Sequence, residues 1–286
     1  MRAIDVHSHM TTPEYTYERR YGKDVSDAIQ KYYRIKEVVK TEDEMAQDFI
    51  EHGVKSIIIA WDAEFRSGYP RVTNDYVAGV AGRHPEAFAG AWAMIDPWKG
   101  KLAVKELEHC IKDLGMIGVK FQQVAQEFFP NDRMVYPLYE KCVELGCAVL
   151  FHTGTTGLGA GQPGGGGYKL KHTQPIPYID DVAADFPKLT IVGAHPSWPW
   201  QEQMIAVLLH KNNVYADLSG WAPKYFSEVL KREINGRLQD KFFFGSDYPE
   251  IPVRRWLDEF TGGEYKPEVV EKVLYKNAQR VLKIEA

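Results

Sequence analysis

Eight short apolar runs recur along the chain: AIDVHSH, KSIIIAWD, FAGAWAMID, IGVKFQ, AVLFHTG, LTIVGAHPS, NVYADLS and KFFFGSD. They are apolar throughout rather than alternating, as parallel strands covered on both faces must be. Between most of them lie amphipathic helical segments with recognisable ends. TEDEMAQDFIEHG opens with a capping box, Thr41 and Glu44, and stops at Gly53. AVKELEHCIKDLG stops at Gly115 and YPLYEKCVELG at Gly146, and four further segments, IPYIDDVAADF, WQEQMIAVLLHKN, PKYFSEVLKREI and PEVVEKVLYKNAQRVLKI, continue the series. Strand and helix in this alternation predict a (β/α)8 TIM barrel, an α/β fold in which residues 1–286 form one domain. A doubly wound open sheet is the competitor, but no glycine-rich phosphate turn follows the first run.

Composition narrows the function classes. Hydrophobic residues make up 44% and charged residues 26%, with a net charge of -4. That charge offers no footprint for nucleic acid or an anionic membrane, and no apolar run reaches transmembrane length. Met1 and Arg2 lead straight into the first run, so a cytoplasmic location is expected. The three cysteines, Cys110, Cys142 and Cys147, read as buried free thiols in a reducing compartment.

Barrel enzymes place their chemistry at the C-terminal ends of the strands. The first run ends in His7 and His9, two residues apart and therefore on one face of a strand. The fifth ends in His152, the sixth in His195 and the eighth in Asp247. Each interrupts an apolar run at its limit, where an unpartnered polar group is costly. Closure of the barrel sets the first and eighth strands side by side, so Asp247 can join the histidine pair. Five such residues at matching positions predict a metal site. His52, His84, His109 and His210 fall in helix or turn patterns and read as structural.

The order His-x-His, His, His, Asp resembles the amidohydrolase superfamily. The phrases IDVHSH, FHTG, GAHPSWPW, FGSDYP and KNAQRVL resemble its amidohydrolase-related branch, which includes the aminocarboxymuconate semialdehyde decarboxylases. The resemblance implies that His7, His9, His152 and Asp247 hold one divalent metal, zinc first and manganese second, with His195 as the catalytic acid–base group beside a metal-activated water. It implies a metal-dependent hydrolase acting on a carboxylated or acyl compound, with non-oxidative decarboxylation by the same site as the alternative. A barrel that binds without turnover is a third reading. Lys120, in the fourth run, raises a competing arrangement in which a carbamylated lysine bridges two metals.

The loops suggest the substrate. After His152 comes GTTGLGAGQPGGGGYKLKHTQP, too rich in glycine for helix or strand and long enough for a lid. Lys169, Lys171 and His172 on its far side are candidate anion contacts, as are Lys120, Arg66 and Arg71. Trp61, Trp92, Trp198, Trp200, Trp221 and Tyr248 fall at or near strand ends, and Trp198 and Tyr248 are candidate contacts to a planar ligand. The expected partner is a small anionic, aromatic-derived molecule, with a homodimer as the candidate assembly.

Overall fold

The computed structural model describes residues 3–284. Eight parallel strands follow one another in sequence order around one sheet: β1 (Ala3–His9), β2 (Val54–Ile59), β3 (Phe88–Met94), β4 (Gly118–Phe121), β5 (Ala148–His152), β6 (Ile191–Ala194), β7 (Val214–Asp217) and β8 (Phe242–Phe243). The seam between β8 and β1 is closed by backbone bonds: Val6 N–H to Phe244 O (3.0 Å), Asp247 N–H to His7 O (2.9 Å) and His9 N–H to Tyr248 O (2.7 Å). The expected (β/α)8 TIM barrel is therefore the observed one. Among the described residues no helix is long and apolar enough to cross a membrane.

Two helix boundaries follow the capping chemistry read from the sequence. Thr41 and Glu44 form a reciprocal capping box on the helix Glu42–Ile50, and Gly146 ends Tyr136–Leu145 in the left-handed conformation. The last predicted helix is broken in register: Pro267–Glu271 and Asn277–Leu282 flank a π-helical turn. Between β1 and β2 the chain inserts two helices that the strand count does not require, Tyr17–Tyr21 and Lys23–Tyr33. They stand over the C-terminal end of the barrel.

Strand residues sort by parity into two packing layers. Ile4, Val6, Ile57, Ile59, Trp92, Leu150, Val192 and Phe243 fill the barrel interior. Ala3, Ile58, Val119, Phe121, Val149, Phe151 and Ile191 face outward onto helix residues such as Phe49, Leu107, Tyr139 and Trp256. Trp92 thus belongs to the interior core, where its indole N–H donates to Val6 O at 2.9 Å. By simple alternation with Ile4 and Val6, His7 and His9 would point outward. They do not, because β1 carries a bulge: Asp5 pairs with Ser56 and Ser8 with Ile58, three residues against two. The extra residue reverses the parity and turns both imidazoles to the barrel axis.

Gly118 in β4 packs close against β5 and the core tryptophan. A Cβ there would lie 2.2 Å from Ala148 O and 2.8 Å from the Trp92 ring. Neither the β5 backbone nor the core tryptophan can retreat. Gly118→Ala is expected to destabilise the protein by about 3 kcal/mol or more, read as a lower urea midpoint at unchanged slope. A midpoint equal to the parent's would contradict this packing.

Candidate metal centre

The strand ends bring the predicted polar residues to one point. Asp247 Oδ1 lies 3.3 Å from His7 Nε2 and 3.2 Å from His9 Nε2. His195 Nε2 lies 3.2 Å from His152 Nδ1, and the His7 and His195 rings are 4.9 Å apart. Donor atoms of His7, His195 and Asp247 all fall within 4.8 Å of one another, a group that could hold a metal ion. His9 and His152 border it. The expected ligand set of His7, His9, His152 and Asp247 shares His7 and Asp247 with this group, which has His195 where the expectation had His9 and His152.

Hydrogen bonding sets which nitrogens carry protons. His7 Nδ1 lies 2.9 Å from Asp217 Oδ2, and a carboxylate only accepts, so Nδ1 holds the hydrogen and Nε2 presents its lone pair. Ser219 donates its hydroxyl to Asp217 Oδ1 at 2.5 Å and accepts from His195 Nδ1 at 2.8 Å, leaving a lone pair on His195 Nε2. His152 Nε2 donates to Thr155 O at 3.0 Å, leaving a lone pair on Nδ1. Two imidazole lone pairs thus face each other, and His7 Nε2 faces Asp247 Oδ1. Among the described residues, both of the latter atoms are buried with no hydrogen-bond partner. Such a constellation repels itself until a cation sits among the donors, so these residues fit a divalent metal.

Burial tunes the same groups. It pushes the four imidazoles down, His195 to about 4, so they are neutral near pH 7. Burial pushes Asp247 up, but His195, His9 and His7 outweigh it and keep the carboxyl ionised. Neutral imidazoles and a carboxylate are the states a metal requires. Lys120, on the inward face of β4, is pulled down to about 8 by burial, against Asp217 and Asp247. Its ammonium has no hydrogen-bond partner among the described residues.

The backbone is strained where it must aim these groups. His195 and Asp247 have φ of 70° and 63°, held by His195 N–H on Asp217 Oδ1 (3.0 Å) and Asp247 N–H on His7 O (2.9 Å). Gly220 leaves room for them: a Cβ there would sit 2.7 Å from His195 Nδ1.

A cavity of about 530 Å³ opens above the donors, lined by His9, Lys120, His152, His195, Trp61 and Trp221 among others. Several expected substrate contacts lie outside it. Tyr248 turns outward, its ring 5.0 Å from Phe49 and its hydroxyl on Asp48, because the outer layer needs a large apolar group there. Trp198 is 54% exposed beside Trp221. Lys171 lies 5.0 Å over the Phe129 ring, and His172 is buried against the same ring. Lys169 pairs with Glu127, as does Arg66, and Arg71 joins Asp62, Glu64 and Glu106. All three cysteines are buried and free.

Asp217 is the residue the sequence reading passed over. It ends the seventh apolar run just as His152, His195 and Asp247 interrupt theirs, so the same rule would have found it. Its carboxylate is held below its usual range: burial raises it, and His7, His195 and Ser219 more than compensate.

The Amidohydrolase family profile matches residues 4–284. The chain belongs to this family. Among curated relatives, a 2-amino-3-carboxymuconate-6-semialdehyde decarboxylase from Dictyostelium discoideum is 30% identical over 80 residues, 28% of this chain and 22% of that one. A 2-keto-4-carboxy-3-hexenedioate hydratase from Sphingobium is 27% identical over 152 residues, 50% of this chain and 42% of that one. The matches thus span less than half of either relative. Among solved structures, an uncharacterised TIM-barrel protein from Bordetella bronchiseptica has a TM-score of 0.77 at 25% identity, covering 99% of both chains. A dihydroxybenzoic acid decarboxylase from Polaromonas, solved with manganese and 2-nitroresorcinol, has a TM-score of 0.67 at 16% identity, with 99% of this chain and 97% of that one covered, and shares the fold.

The Asp217 carboxylate orients His7 and, through Ser219, His195. Asp217→Asn puts an amide where only an acceptor serves, and is expected to weaken divalent metal affinity by about 10–100-fold with the fold retained. Titration of the metal-free protein against a chelating indicator measures this. Unchanged affinity would remove Asp217 from the centre.

Proposed function

We propose that this protein is a divalent-metal-dependent carboxy-lyase that removes carbon dioxide from a small planar acid. The observation that carries the reading is the set of unshared lone pairs on His7, His152, His195 and Asp247 at the floor of a cavity walled by Trp61, Trp221 and Tyr21. A flat acid suits such walls, and the unpaired Lys120 ammonium in the same cavity suits its negative charge. Two of the relatives named above are decarboxylases and one is a hydratase, which moves decarboxylation ahead of the hydrolysis that the sequence resemblance placed first.

In this reading His7, His9, His152 and Asp247 hold the metal, with manganese favoured by the Polaromonas structure and zinc as the competitor. When bound, the metal supplies a positive centre that orients an acid and withdraws charge from the carbon to be cleaved. Lys120 binds the substrate's anionic edge. The aromatic walls exclude water from the carboxylate that leaves. Because Asp217 and Ser219 fix the hydrogen on His195 Nδ1, Nε2 is the atom that takes up a proton from the substrate or solvent and passes it to the carbon that loses carbon dioxide. The same free Nε2 could instead take a proton from attacking water, and this specific feature favours hydrolysis as the second reading.

Carbon dioxide release from a panel of aromatic and unsaturated acids, measured beside the same compounds as esters and amides, separates the two. Decarboxylation predicts gas from the acids and no turnover of the esters; the reverse pattern selects hydrolysis. His195→Asn is expected to keep the metal and lose about 10²–10⁴-fold in rate. Loss of metal with activity would instead make His195 a ligand.

A further inference from the structure

A second chamber, about 260 Å³, adjoins the metal cavity, and Gly166, Gly167, Tyr168 and Lys169 of the glycine-rich loop form part of its wall. The two chambers share Arg20, Tyr21 and Trp61 as lining. Their charge differs. The larger is lined by three cations (Arg20, Lys120, Arg255) and three acids (Glu37, Asp247, Glu250). The smaller has Arg20, Arg66, Arg71 and Lys169 against Glu127 alone.

Part of that positive charge is already matched. Arg71 reaches Asp62 at 3.3 Å and Glu106 at 3.0 Å. Arg66 and Lys169 share the single carboxylate of Glu127, which cannot neutralise both. Arg20 is the decisive group. Only 11% of its side chain is exposed, and its nearest carboxylate, Glu37, is 4.0 Å away and also takes the Tyr17 backbone N–H. Its guanidinium carbon lies 4.0 Å from the Tyr15 ring centre, 4.8 Å from Tyr21, 4.9 Å from Tyr17 and 5.6 Å from Trp61. Nη1 donates to the Tyr21 hydroxyl at 2.9 Å, and Nε is buried with no hydrogen-bond partner among the described residues. An aromatic cage holds a guanidinium flat without using up its donors. A caged fork with donors to spare is suited to a carboxylate or phosphate.

We propose that the smaller chamber is an anion subsite built on Arg20, which receives a carboxylate or phosphate on the end of the substrate remote from the reacting carbon. The substrate is then a two-ended dianion, and Arg20 is the residue that selects it. Lys169 and Arg66 contribute the chamber's outer charge, which gives the glycine-rich loop a purpose: it brings backbone and a cation close over the far end of the ligand. The inference rests on the reading that the larger cavity holds the reacting end.

The test is calorimetric titration of the metal-loaded protein with straight-chain α,ω-dicarboxylates, the matching monocarboxylates and the matching ω-phosphono acids. A charge-assisted contact to a buried guanidinium with donors to spare is worth about tenfold or more in affinity, so at one chain length a dianion should exceed its monoanion by at least that ratio. Arg20→Gln should bring the ratio close to one and Arg66→Gln should lower it, while Arg20→Lys, which keeps charge without the fork, retains part. Preference between carboxylate and phosphonate identifies the end group. A ratio near one at every length in the parent protein overturns the proposal, as does an unchanged ratio in folded Arg20→Gln. The parent comparison stands even if that variant misfolds. Dianion preference without carbon dioxide release would support the subsite and count against the reaction assigned above.

Discussion

Closure of the sheet between β8 and β1 is the constraint on which the centre depends. Three backbone bonds across that seam place Asp247 against His7 and His9, although the two ends of the site are some 240 residues apart in sequence. The bulge in β1 acts at the same seam, rotating the two histidines inward. Without closure the carboxylate has no imidazoles beside it; without the bulge the imidazoles face the helices. The ladder bonds of a parallel barrel thus fix a geometry that no local segment could hold.

Electrostatics then converts that geometry into chemistry. Low-dielectric surroundings keep the imidazoles neutral and their lone pairs available, while the neighbouring histidines, with Ser219 beside Asp217, outweigh burial and keep Asp217 and Asp247 ionised. Among the described residues one buried carboxylate, Asp217, serves four groups at once: the His7 ring, the Ser219 hydroxyl, and the backbone N–H groups of His195 and Ser219. Its reach explains how residues on β1, β6 and β7 share one protonation pattern. The cations are set apart from this pattern, with Lys120 inside the metal cavity and Arg20 at the wall between chambers.

Much of this was legible in the sequence. Runs apolar on both faces, separated by capped helices, encode a parallel barrel, and polar residues ending those runs encode the site, because barrel strands all finish at the same rim. What was not legible depends on long-range packing. The bulge in β1 is set by pairing with β2, so the inward turn of His7 and His9 is invisible in AIDVHSH. Tyr248 looked like a mouth residue, but the outer layer beside Phe49 claims its ring. Arg20 falls in a helix that strand counting does not require, and its aromatic cage assembles only when Trp61, from beyond β2, arrives beside Tyr15 and Tyr21. Lys171 and His172 follow a glycine-rich segment whose path over the barrel cannot be inferred from composition.

The central claim is that the strand-end histidines and Asp247 form one metal centre. Its most direct test is stepwise addition of Mn²⁺ to metal-free protein, followed by pulsed electron paramagnetic resonance. The account predicts tight uptake of one ion per chain, with nitrogen couplings from several imidazoles that diminish in His7→Ala and His9→Ala. Uptake of two ions, lost in Lys120→Ala, or a bound ion showing no imidazole nitrogen, would contradict it.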